Sequence, residues 1–175
     1  MSMKGSKSLG LAALSLLLIF GLIGMAGCKK AGEKMAEKSI ENAIEKASGG
    51  KAEVDLKSGN IKVKTAEGES SFSTSNEWPN DLPEGVPQFK MGKVKGVTRH
   101  QAEGKKTWNV ILESIEKGSV EKYTELLKSD GWTIGQTVSM GDGGMVQATK
   151  DKLMILAMFN QDKTVSLSIT NNIEN

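Results

Sequence analysis

Residues 153–170 read LMILAMFNQDKTVSLSIT, and they decide the fold class. In the second half, Val165, Leu167 and Ile169 alternate with Ser166, Ser168 and Thr170. A period of two puts the apolar side chains on one face and the hydroxyls on the other, as in an antiparallel strand with one wet face. In the first half every position from Leu153 to Phe159 is apolar. That run is expected to be a central strand covered on both sides.

Working upstream, strands are expected at 94–101 and 107–115, around the turn Ala102-Glu103-Gly104-Lys105. Two more are expected at 133–140 and 145–150, joined by Gly141-Asp142-Gly143-Gly144. Between these pairs Ser119 is placed to cap a helix whose Val120, Tyr123, Leu126 and Leu127 share a face. Asp130-Gly131 stops it, and Trp132 follows where a C-terminal hydrophobic contact is common. Residues 93–175 are therefore expected to form an α+β domain, an antiparallel sheet of about six strands with one packed helix. A helix of about three turns is too small to cover a whole sheet face. The connector, the N-terminal hairpin, a second subunit or a ligand must supply the rest.

All three prolines fall between Trp78 and Phe89, as Trp78-Pro79, Leu82-Pro83 and Val86-Pro87. Each fixes its own φ and biases its predecessor to extended geometry, so 78–92 reads as a semi-rigid connector. Its Trp, Leu, Val and Phe side chains are expected to pack it against a domain. Residues 51–77 read as a short β-meander: Val54 and Leu56, a turn at Ser58-Gly59-Asn60, then Ile61, Val63 and Thr65, and a last strand around Phe72. Residues 28–50 read as a helical stalk. Ala36, Ile40, Ala43, Ile44 and Ala47 make a narrow apolar stripe, and Lys30/Glu33, Lys34/Glu37 and Lys38/Glu41 are opposite charges three apart. So thin a stripe favours a solvated stalk over a helix packed on itself or a partner.

The first residues have three zones. Lys4 and Lys7 are a positive start, Leu9 to Ile23 is almost purely apolar, and small residues crowd the single cysteine in Met25-Ala26-Gly27-Cys28. This is the layout of a secretory signal over 1–27. The last four residues resemble the lipobox of bacterial lipoproteins, with Met25 where Leu is usual. The resemblance implies a diacylglycerol on the Cys28 thiol, cleavage before it, and often acylation of the new amine. Uncut, Leu9 to Gly27 would make a helix roughly 28 Å long, enough to span a bilayer core of about 30 Å. The Lys/Glu helix and connector are similar to those of small bacterial lipoproteins of uncharacterised function, a likeness that brings no activity. Lys29 after the cysteine implies the outer membrane, facing the periplasm, if the envelope has two membranes. Otherwise the outer face of the cell membrane is expected.

The chain holds 23 Lys+Arg against 21 Asp+Glu. Without Lys4 and Lys7 the remainder is formally neutral, so it has no net field to draw nucleic acid over distance. With one cysteine and one histidine, His100, no zinc-type ligand cluster can be assembled. Ser119-Val120-Glu121-Lys122 matches the bare S-x-x-K pattern of penicillin-recognising serine enzymes, but the companion motifs are missing. Gly141–Gly144 lacks the Lys-Ser/Thr pair of a phosphate loop. Asp142 with Asp130 or Asp151 lacks the spacing of a calcium loop. Met140, Met145, Met154 and Met158 could bind copper(I) or line a groove, and packing in the core is the simpler expectation.

No catalytic, cofactor or metal residue is expected; Cys28 is the one assigned site, for lipid attachment. The reading is a membrane-anchored, non-enzymatic envelope lipoprotein that binds a protein partner or self-associates. The alternatives are a carrier of an apolar ligand or lipid, with the Met-rich face and Trp132 lining a cavity, and a structural spacer that self-associates through 31–47.

Overall fold

A computed structural model describes residues 30–172 apart from Asp142, with side chains from Lys34 onward; the signal segment and Cys28 lie outside the described residues. Among the described residues, α1 (Lys30–Ser48) leads into β1 (Lys51–Asp55), β2 (Asn60–Thr65) and β3 (Gly68–Ser73). After the connector come β4 (Lys93–Ala102), β5 (Lys105–Glu113), α2 (Ser119–Ser129), β6 (Thr133–Met140), β7 (Gly143–Lys150), β8 (Leu153–Phe159) and β9 (Val165–Asn172). All the strands join one antiparallel sheet in the order β1-β2-β3-β4-β5-β9-β8-β7-β6.

This corrects the expectation of an antiparallel sheet of about six strands with one packed helix. The sheet has nine strands because β3 fills the free edge of β4, with Ser70, Ser71 and Phe72 opposite His100, Arg99 and Thr98. Both described helices pack. The order also shows that α2 carries the chain from β5 to the far edge strand β6, after which β7, β8 and β9 return strand by strand to β5.

The register divides the side chains between two faces. Val110 and Leu112 of β5 share one face with Leu167 and Val165 of β9, Ala157 and Phe159 of β8, and Val146 of β7. On this face α2 packs through Val120, Tyr123 and Leu127, and the connector through Trp78, Leu82, Val86 and Phe89. It is therefore the connector face, and the connector supplies the cover that one helix could not. Trp132 closes this core, and its indole N–H donates to the Gly85 carbonyl at 3.2 Å. Ser119 is not the helix cap. Gly118 holds that position in a left-handed conformation, and Ser119 is buried inside the first turn, its hydroxyl donating to the Glu116 carbonyl at 2.6 Å.

At the other end of the sheet the covered face is the opposite one. Val54, Ile61 and Val63 lie on the side of the sheet that Thr98 and Asn109 occupy further along. There α1 lays Ile44 and Ile40 on Val54, Val63, Ala52 and Ile61. The expected solvated stalk is thus a packed helix. On the connector side this end is charged, with Lys62 and Lys64 paired to Glu69 at 2.8 and 3.1 Å.

A second set of contacts ties α1 to the edge of β1. Carboxylate oxygens of Glu37, Glu41 and Glu45 accept from the backbone N–H groups of Leu56, Val54 and Ala52, at 3.1, 3.0 and 3.1 Å. The spacings allow it, since four helical residues rise about 6.0 Å and two strand residues about 6.6 Å. An edge strand leaves every second N–H unpaired, and here three glutamates stand in for a further strand. The tight turn from α1 into β1 needs Gly50, where a Cβ would run into the Lys64 carbonyl oxygen.

Removing one rung strips a charge-assisted acceptor from a part-buried N–H, for which about 1–3 kcal/mol is the usual cost. We expect Glu41→Ala to lower the denaturant midpoint accordingly and to speed hydrogen exchange at the Val54 amide. Glu41→Gln, which keeps an acceptor oxygen, should show smaller effects. An unchanged Val54 exchange rate in Glu41→Ala would remove the ladder as a stabilising device.

Candidate interaction surface

The face opposite the connector is open from β5 to β6. One row of cross-strand neighbours runs Ile111, Ser166, Met158, Met145, Val138. The next runs Asn109, Ser168, Leu156, Gln147, Gln136, and a third Thr107, Thr170, Met154, Thr149, Thr133. Met140 lies on the same side, beyond Val138 on β6. Met140, Met158, Ile111 and Met154 are 68%, 48%, 38% and 36% exposed. This is the methionine face.

Two expectations are corrected here. Leu153–Phe159 is not covered on both sides: Ile155, Ala157 and Phe159 are buried under the connector face, while Met154 and Met158 stand in solvent. Nor are the methionines core packing, since Met140, Met154 and Met158 are exposed and Met145 is half-buried. The signal was present within the apolar run, where rigid or small side chains alternate with flexible ones. Flexible thioethers keep many rotamers at an exposed site and adapt to different partner shapes.

The connector is locked to the other face by a polar cluster that sequence reading missed. Asp81 accepts two bonds from the Arg99 fork, from Nε and Nη2, both at 2.9 Å. The Trp108 indole N–H donates to it at 3.0 Å, and Lys106 Nζ stands 3.7 Å away, 4.6 Å above the Trp108 ring. The Arg99 hydrogen bonds, helped by Trp108 and the nearby cations and opposed by partial burial, hold the Asp81 carboxyl well down, at about 2. Arg99 and Trp108 are register partners on β4 and β5, so the strands prearrange the donors and the connector supplies the carboxylate.

The sequence-stated candidates are scattered. His100 is exposed on β4, with Ser70 Oγ 2.8 Å from its Nδ1 across the β3–β4 pair. Ser119 is buried, and Lys122 bonds Glu116 Oε2 at 3.3 Å, so Glu116 engages both residues of the S-x-x-K pattern. Gly141 lies in the β6–β7 turn, Gly143 and Gly144 open β7, and Asp142 lies outside the described residues. Asp130 and Asp151 are in no metal-holding cluster; among the described residues no group of three or more His, Cys, Asp or Glu is placed to hold a metal ion. Burial pushes the Tyr123 hydroxyl up, aided by the Asp130 charge, so it stays protonated, and the Tyr123 ring packs tilted against Phe89 with centroids 5.0 Å apart.

Trp132 and the methionines occupy opposite faces of the sheet, so the cavity imagined for a carrier is not formed by them. A half-open groove of about 550 Å³ runs beside the start of β4, lined by Asn76, Trp78, Gln88, Phe89, Lys90 and Glu113 among others. Among the described residues no helix is long and apolar enough to cross a membrane. Compared with protein families, characterised proteins and solved structures, the chain matches none.

The Asp81 lock gives a pH signature. A carboxyl held below its ordinary value of 3.8 contributes stability that is present above that value and lost as pH falls towards about 2. We expect the unfolding midpoint of the wild type to drop across this window. Asp81→Asn should be less stable at pH 7 and lose less between pH 4 and 2. Parallel pH profiles for the two proteins would show that Asp81 is not the group responsible.

Proposed function

We propose that the chain is an exported lipoprotein, held on a membrane by acyl chains on Cys28, whose sheet serves as a non-enzymatic binding surface for protein. The observation that carries this reading is the methionine face. It is a surface of Met, Ile, Leu, Val, Ser, Thr, Asn and Gln without a charged residue in the three rows, on a sheet whose other face is closed by α2 and the connector. Such a surface offers adaptable apolar contact with hydroxyl and amide hydrogen bonding around it. The spacer alternative loses support, because Ile40 and Ile44 are engaged with β1 and β2 within the chain.

On this reading the anchor is two or three acyl chains, each buried methylene adding about 0.8 kcal/mol. The outer membrane, facing the periplasm, is the proposed address in a two-membraned envelope, and the outer face of the cell membrane otherwise. The test uses the full chain in its own cells, with a photo-crosslinking residue at Met158 or, as a control, at Glu125 on α2. Capture of a defined protein from position 158 and not from 125 is expected. Cys28→Ala should abolish palmitate incorporation and release the protein from membranes. No capture from position 158, or membrane retention in Cys28→Ala, would overturn the corresponding half of the reading.

A further inference from the structure

The two edges of the sheet are treated differently. The β1 edge is occupied by the carboxylates of Glu37, Glu41 and Glu45. At the other edge β6 reads TIGQTVSM, with no charge and no proline, and among the described residues its backbone pairs with β7 alone. Charges, prolines and covering elements are the usual means of stopping an edge from pairing. β1 has such a cover; β6 has an irregularity between Ile134 and Gln136, and beyond it Gln136–Met140 carries no charge and no proline.

We infer that β6 pairs with β6 of a second copy of this chain, antiparallel and centred on Val138. The inference rests on the binding-surface reading and adds a second copy of this chain at the edge beside that surface. Its register follows from the irregularity of the strand. The pairing with β7 slips between Ile134 and Gln136, leaving Gln136–Met140 as the regular stretch, with Val138 at its centre. Pairing this stretch with itself sets Val138 against Val138, Gln136 against Met140 and Thr137 against Ser139. Each pair keeps its side of the sheet, and no like charges within the strand face each other.

A two-fold axis perpendicular to the sheet then makes the row Ile111-Ser166-Met158-Met145-Val138 continuous with its symmetry mate. The exposed methionines of both copies merge into one patch across the axis. At about 4.8 Å per strand, the two Met158 side chains stand roughly 24 Å apart. Edge pairing supplies directional hydrogen bonds, and the merged patch lies over the joint where a further chain could bind.

The test uses the full chain extracted from membranes in mild detergent, with the wild type as the control for Cys28. Sedimentation and native mass spectrometry should show a dimer at about 10 µM protein. Under mild oxidation Val138→Cys should form a disulfide dimer several-fold more completely than Thr137→Cys, which this register sets against Ser139 and not against its own copy. Val138→Lys should shift the protein to monomer with a thermal midpoint within a few degrees of the wild type. A monomeric wild type, equal crosslinking at 137 and 138, or a dimeric Val138→Lys would overturn the inference. A monomeric wild type whose Met158 crosslinks capture a different protein would discard the second copy and leave the binding-surface reading standing. A monomer with no capture would discard both.

Discussion

β9 lies against β5, and the rest of the structure depends on that pairing. Trp108, Val110 and Leu112 face Ile169, Leu167 and Val165, and these side chains are almost or wholly excluded from solvent. β1–β5, held together through the β3–β4 pairing, and the hairpin-linked β6–β9 are joined there into one sheet. The closing contact spans more than fifty residues of chain, so its entropy cost must be met by burial of these apolar side chains. α2 can reach the far edge only because β7, β8 and β9 then fill the space back to β5.

A single sheet this wide presents two faces and two edges, and each is handled by a different physical means. Hydrophobic burial closes the connector face at one end and the α1 face at the other. Charge-assisted hydrogen bonds position both covers: Asp81 fixes the connector to Arg99 and Trp108, and the three glutamates fix α1 to the backbone of β1. In both cases a carboxylate from a covering element meets donors that the sheet already holds in place. The cover is thereby set in register as well as buried, a distinction apolar contact alone cannot make.

What remains uncovered is asymmetric and continuous. The methionine face and the β6 edge adjoin at Val138 and Met140, so the exposed apolar side chains lie beside unpaired backbone groups. Soluble proteins ordinarily blunt such edges and break up such patches. Their coincidence at one end of the sheet, opposite the end where α1 enters, is the structural basis for placing function there.

Local pattern was legible in the sequence because it is set by neighbours. The alternation of Val165, Leu167 and Ile169, the prolines of the connector, and the Gly-rich turns placed strands and links within a few residues of where they lie. The crowding of Cys28 by small residues after an apolar run carries the proposal of a lipid anchor in the same local way. What the tertiary structure alone decided was pairing between distant strands and the side each element covers. Nothing near β3 announces that Ser71 will sit opposite Arg99, and the Glu37, Glu41 and Glu45 series reads as ordinary solvated helix charge until β1 lies alongside. The run Leu153–Phe159 shows the limit most plainly. Its apolarity is a property of the chain, but which of its two faces meets a cover depends on where α2 and the connector come to rest, and that is settled by non-local packing energy.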